Sequence, residues 1–198
     1  MNILIVPEDF RKDQYILKPL VEGMMNDLGK PKGKVRVCQD PLLGGISQAL
    51  NWDRIAEILQ RYSGMVHIFL LIVDRDGNSG RRTALDGIES KSGVVLSSGA
   101  SGRVLFAENA WQEVEVWALA ACEDLPKDWV WAEVRAEPHP KEIYFDVYVR
   151  DKGLQDEPGE GRRTLGNLAK QNYRRVHSLC AEDVQALHEK IHSFLRGT

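Results

Sequence analysis

The sequence predicts an α/β domain in which a mostly parallel sheet is flanked by helices. Three observations carry this. The run Ile68–Val73 is apolar at every position, as in a central strand covered on both faces. A second apolar run, Asn2–Val6, opens the chain, and segments with helical spacing lie between the two, giving the order β-α-β-α-β. Both runs stop at acids: Pro7, Glu8 and Asp9 after the first, and Asp74, Arg75, Asp76 and Gly77 after the second.

Each element has its own reason. After the first strand, Ile16, Leu17, Leu20, Val21, Met24 and Leu28 recur at helical spacing, predicting a helix over Arg11–Leu28 that Gly29 stops. Lys34–Cys38 alternates as a strand. Gln39–Ser47 reads as a loop, and a helix fits Asn51–Tyr62 with Asn51 or a neighbour as cap. Beyond the central strand, a short helix is expected over Ala84–Glu89. Short strands are expected at Val94–Leu96 and Arg103–Phe106, around a turn from Ser97 to Gly102, and a helix at Gln112–Cys122. Two alternating runs, Trp129–Val134 and Ile143–Val149, predict an antiparallel hairpin. Asp151–Gly161 is Gly- and charge-rich, and a mobile segment is expected there. Helices over Thr164–Ser178 and Glu182–Leu195 close the chain. Residues 1–125 are thus expected as the core and 126–198 as an extension of the same domain.

With 198 residues and 43% hydrophobic content, the chain can bury one sizeable core. A formal charge of -3 does not mark a polycationic nucleic-acid binder, although it allows a local basic patch. Cys38, Cys122 and Cys180 are far apart and form no CxxC, which suits reduced thiols in a cytoplasmic protein. The first apolar run is too short for a signal peptide and lacks a basic flank, and no segment approaches a membrane span.

The acids carry the chemistry. Asp74 and Asp76 are two apart at a strand end and point the same way if strand geometry persists. Two such carboxylates repel each other unless a cation lies between them, and a hard divalent ion, Mg²⁺ or Mn²⁺, fits oxygen donors. Glu8, at the end of the first strand, reaches the same sheet edge. A metal held there can activate water and stabilise a leaving oxygen in phosphodiester hydrolysis.

At this point the chain resembles a known family. Residues 3–20, ILIVPEDFRKDQYILKPL, followed by IFLLIVDRDG at 68–77, are similar to the Toprim fold of topoisomerases, primases and the overcoming-lysogenisation-defect nucleases. Small stand-alone bacterial Toprim-like proteins also carry a segment like Gln112-Glu-Val-Glu115-Val-Trp117. The resemblance covers roughly residues 2–120. It implies a Mg²⁺-dependent nuclease with Glu8, Asp74 and Asp76 as catalytic metal ligands. Asp13 is similar in place to a further acid, and Glu113 or Glu115 to the acid that holds a second ion. Residues two apart on a helix do not share a face, so at most one of that pair is expected at the site. Pro7, Glu8 and Asp9 replace the family's usual Glu-Gly step. The resemblance further implies an effector of bacterial anti-phage defence, working with an ATPase or sensor partner and open to homo-oligomer formation.

A basic constellation follows late in the chain. Between Gly161 and Leu179 the charged residues are Arg162, Arg163, Lys170, Arg174 and Arg175, without an acid. With Arg81 and Arg82 they form the expected phosphate contacts to DNA or RNA. Lys170 resembles the late lysine that acts as general acid in the related nucleases. Two alternatives stand beside the nuclease. An apolar strand running into Asp74, Asp76 and Gly77 also matches the haloacid-dehalogenase phosphatases, where Asp74 would be the nucleophile, although Asn78 stands where that family has Thr or Val. A non-enzymatic Toprim-like binding subunit is the other. His188 and His192 complete an H-E-x-x-H pattern, but Ser193–Thr198 offers no third zinc ligand.

Overall fold

Residues 1–97 and 102–197 of the computed structural model are described here. Four parallel strands, β1 (Asn2–Pro7), β2 (Lys34–Val37), β3 (Ile68–Asp74) and β4 (Val104–Ala110), form one sheet in the order β2-β1-β3-β4. The α/β class with a parallel, helix-flanked sheet is as the sequence predicts, and is consistent with a Toprim-like arrangement. β1 and β3 are the inner strands, and both are apolar on both faces. Ile68, Leu70 and Ile72 feed one core, and Phe69, Leu71 and Val73 feed the other.

The first core lies under α1 (Phe10–Asp27), and the second under α3 (Trp52–Tyr62) and α4 (Arg81–Ser97). The short α2 (Ile46–Ala49) begins at the end of the stretch expected as a loop and runs past it. Asp9 caps α1 by accepting from Arg11 N at 2.8 Å. Asn51 caps α3 as expected, accepting from Asp53 N.

Several expectations are corrected. Val94–Leu96 is not a strand: α4 runs through to Ser97, burying Leu85, Ile88, Ser92 and Leu96 at helical intervals. Most of the expected turn, from residue 98 to 101, lies outside the described residues. The helix expected at Gln112–Cys122 shortens to α5 (Glu115–Ala120). The hairpin is absent. Its first run becomes α6 (Trp131–Ala136). Its second becomes a π-helical turn (Lys141–Phe145) continuing into α7 (Asp146–Asp151). Phe145 and Val149 satisfy both periods, but Tyr148 is buried and Ile143 is 51% exposed, which only a helix gives.

Residues 152–161 form turns packed on α1. Lys12 Nζ meets Glu160 Oε2 at 2.8 Å, and Gly159 lies against the Tyr15 ring. The helix expected over Thr164–Ser178 breaks at Asn172 into α8 (Arg162–Gln171) and α9 (Tyr173–Leu179). At the break, Asn172 Nδ2 donates to the Ala121 carbonyl at 2.9 Å. A π-helical turn (Ala181–Gln185) leads into α10 (Ala186–Arg196). Fully buried Asp183 ties this end to the middle of the chain. It accepts from Trp111 N and Trp117 Nε1 at 2.7 Å and pairs with Arg135. The extension therefore shares the first core, where Val176, Val184 and Ile191 join Ile3 and Leu17.

Candidate functional site

The site forms where β1 and β3 end side by side. Pro7 pairs with Ile72, so Glu8 stands next to the end of β3, and Glu8 N donates to the Ile72 carbonyl at 3.2 Å. In return, Asp74 N donates to Glu8 Oε2 at 3.3 Å. Asp13, one turn into α1, is turned back toward the same edge, with its Oδ2 accepting from Asp9 N at 3.0 Å. Asp74 Oδ1 accepts from Val114 N at 2.9 Å, which brings the start of α5 and Glu115 to the strand end.

Charge interactions show how closely these acids gather. Asp74 is pushed well above the usual carboxylate range, first by burial and then by the charges of Glu115, Asp13, Glu8 and Asp76. Asp13 is pushed up to about 8 by burial, then by Glu115, Asp9 and Glu8, against the pull of the Asp9 amide. Burial also raises Glu8, opposed by the Asp74 amide. Five of the six predicted acids thus share one neighbourhood. Glu113 diverges from Glu115, as expected for residues two apart. Its Oε2 accepts from Lys141 N at 2.8 Å, and burial lifts it to about 7.

Two buried guanidinium groups bracket the acids. Arg81 Nη2 meets Asp76 Oδ2 at 3.1 Å and lowers the Glu8 carboxyl through space. Arg162 has no solvent exposure. Its Nε donates to Glu115 Oε1 at 2.9 Å, its Nη2 reaches the same oxygen, and its Nη1 meets Glu160 Oε2 at 3.2 Å. This corrects the reading of Arg162 as a phosphate contact: it neutralises the acid cluster from inside. Arg81, also buried, belongs with it.

The other predicted cations lie elsewhere. Lys170 pairs with Glu22 at 2.7 Å, roughly 13 Å along α1 from Asp13 at ~1.5 Å per residue. It is therefore not a general acid at these carboxylates. Arg174 pairs with Asp27, and Arg163 and Arg175 are exposed. Arg82 meets Asp86 and buried Glu108, each at 2.8 Å. His188 faces Asp27 at 3.4 Å, with the His192 ring 6.1 Å away.

Gln112 escaped the sequence reading of the site. Its carbonyl accepts from Arg75 N and Asp76 N, and its Oε1 accepts from Gly77 N at 2.8 Å. It holds the turn after β3 through three N–H groups. Gln112 and Asp76 both have positive φ, at 74° and 49°. Asp tolerates this region better than Gln does, so the strain falls on the residue that holds the turn. The Arg75 guanidinium lies over the Trp111 ring, 3.8 Å from its centroid. Only the Q-E-x-E spacing could have signalled Gln112, and it pointed to the glutamates.

The donor set is oxygen-only, the chemistry of a hard divalent cation. Asp74 leaves Oδ2 without a hydrogen bond among the described residues. As positioned, no group of three or more His, Cys, Asp or Glu side chains among the described residues is arranged to hold a metal ion. Also among the described residues, no helix is long and apolar enough to cross a membrane. Compared with family models, curated proteins and solved structures, the chain matches none.

Proposed function

We propose that the chain is a divalent-cation-dependent nuclease of Toprim type. The observation that supports this reading most is the hydrogen bond from Asp74 N to Glu8 Oε2, which joins the two strand-end acids into one site. Glu8, Asp74 and Asp76 would hold the ion, with Asp13 as a further oxygen donor. Mg²⁺ or Mn²⁺ bound there would acidify water and stabilise a leaving phosphate oxygen. The protein's own contribution is positional. Gln112 holds the Asp76 turn, and Val114 N orients Asp74. Arg162 occupies Glu115, so this glutamate balances charge and the site takes one ion. An ATPase or sensor partner and a role in defence are proposed on the family resemblance alone.

The test is cleavage of plasmid DNA and of single-stranded DNA and RNA by the purified chain with Mn²⁺. Glu8→Ala and Asp74→Ala should each abolish it. Cleavage that survives Glu8→Ala would sink the assignment. Turnover of small phosphate esters that depends on Asp74 but not Glu8 would favour the dehalogenase-like phosphatase. Absence of any cleavage with a cognate partner present would favour the binding subunit.

A further inference from the structure

The sheet has two edges, and the chain treats them differently. At β4, Val104 N donates to the His67 carbonyl, so Leu105, Ala107 and Asn109 turn their backbone groups outward. Side chains close that edge. Ala107 N donates to Glu89 Oε1 at 2.6 Å, the Ala107 carbonyl accepts from Lys190 Nζ at 3.3 Å, and Asn109 N donates to Glu108 Oε1 at 3.1 Å.

β2 is the other edge. Lys34 N donates to the Met1 carbonyl at 3.0 Å, and Cys38 N to the Ile5 carbonyl at 2.7 Å. The even-numbered residues therefore bond to β1, and Val35 and Val37 turn their N–H and C=O groups outward. Nothing among the described residues meets those groups. A groove of about 370 Å³ runs along them instead, lined by Gln14 and Lys18 of α1, by Val35, Arg36 and Val37 of β2, and by Tyr62 of α3, among others, with no acid.

The charge around this edge is one-sided. From Leu28 to Gln39 the chain carries Lys30, Lys32, Lys34 and Arg36 and no acid. These four and Lys18 are exposed, and none forms an ion pair among the described residues. Lys12, Lys170 and Arg174, elsewhere on the surface, each have a carboxylate partner. Lysines on an edge strand ward off other strands, but these do so selectively. A second copy pairing through β2 would set the cations against their own kind, whereas an acidic strand would gain an opposite charge at each. A phosphate backbone would use the cations yet offers no donor to the outward carbonyls, so the open backbone row favours a peptide.

We propose that the β2 edge docks an extended segment of a partner protein, in which Asp or Glu alternates with apolar residues, as an added strand of the sheet. Lys34 and Arg36 lie on one face of β2, and Val35 and Val37 on the face toward α1. The acids of the segment fall on the first face and its apolar side chains on the second. β2 has four residues, so the paired stretch spans ~13 Å at ~3.3 Å per residue. The docking site stands apart from the nuclease reading and needs no metal.

The experiment combines fluorescence anisotropy and amide-exchange NMR on the full chain. The probes are a labelled hexapeptide alternating Glu and Val, its Lys–Val counterpart, and a short single-stranded DNA of the same charge as the first. The Glu–Val peptide should bind about ten-fold tighter than the Lys–Val peptide. Its binding should slow exchange of the Val35 and Val37 amides, while those of Lys34 and Arg36, already bonded to β1, stay slow throughout. Lys34→Glu combined with Arg36→Glu changes two exposed side chains and should reverse the preference between the peptides. No binding of the Glu–Val peptide would overturn the docking site, as would binding that leaves Val35 and Val37 exchange unchanged or a preference the double variant does not alter. Displacement of the peptide by the DNA would overturn it too, assigning the surface to phosphates.

Discussion

Asp74 N donates to Glu8 Oε2 at 3.3 Å, joining residues 66 apart in sequence at the ends of adjacent strands. The contact follows from topology. β1 and β3 are parallel neighbours in the order β2-β1-β3-β4, and their register sets Pro7 against Ile72, so both strands end at the same level. The acids do not attract each other. The folded core holds them together against their repulsion, which is why burial and four neighbouring acids all push Asp74 upward.

Asp74→Asn should therefore stabilise the metal-free protein while destroying its activity. The amide keeps an oxygen to accept from Val114 N and removes a charge that every neighbour opposes. A gain of about 1–2 kcal/mol is expected at pH 8, with cleavage reduced at least about a hundred-fold. Denaturant unfolding and a plasmid assay on the same preparation measure both. A variant less stable than the parent would contradict the electrostatic account.

The pH dependence has a definite sign. In the unfolded chain Asp13 ionises near 3.8; in the folded protein, beside Glu115, Asp9 and Glu8, it holds its proton up to about 8. Between those values the folded state carries a proton the unfolded state lacks, so stability falls as pH rises and levels off above about 8. Glu113, lifted from 4.5 to about 7, acts in the same direction below pH 7. His188, lowered from 6.5, works oppositely, but only below about pH 7. Melting temperature should thus drop from pH 7 to 8.5, and Asp13→Asn should flatten the drop. A rising melting temperature across that window in the parent chain would refute it.

The sheet and its acids were legible in the sequence because strands buried on both faces leave an unbroken apolar run, and Asp and Glu at its end have few structural reasons to be there. Those signals point to Glu8, Asp74 and Asp76, and the family resemblance adds Asp13 and Glu115. The extension was not legible. Residues 143–149 satisfy a strand period and a helical period at Phe145 and Val149, and burial of Tyr148 with exposure of Ile143 separates them. Arg162 was misread for a different reason. A surface arginine and an internal counter-ion look alike in sequence, and what decides is a fold that carries α8 against α5. Gln112 matters through long-range hydrogen-bonding geometry, which no local pattern encodes.

Arg162 and Glu115 give a further expectation. Arg162→Met leaves Glu115 buried beside Asp13 and Asp74 with no counter-charge, and should cost about 3–5 kcal/mol. Glu115→Gln in the same chain should recover much of that loss, because the uncompensated charge goes with it. Chemical denaturation of the two single variants and the double variant gives the coupling. Additive losses would mean that Arg162 acts through packing on Phe145, whose ring centroid is 5.0 Å from the guanidinium, and not through charge.

Gly166 tests how α8 holds Arg162 in place. A Cβ at this position would lie 2.0 Å from the Tyr15 carbonyl oxygen and 3.0 Å from Ile16 Cα, so the α1 backbone itself would be struck. Backbone cannot rotate away as a side chain can. The reciprocal contact, Gly23 against the Lys170 carbonyl, shows that the two helices touch along their length. Gly166→Ala should cost about 1–3 kcal/mol, the range for overpacking. It should also move α8 away from α1 and so shift Arg162, four residues earlier, off Glu115. Exposing that charge pair to water should raise the exchange rate of the Arg162 guanidinium protons. If stability falls while that rate stays unchanged, the α1–α8 contact supports the core alone and the acid cluster is held by α5 and the Gly159–Gly161 turn.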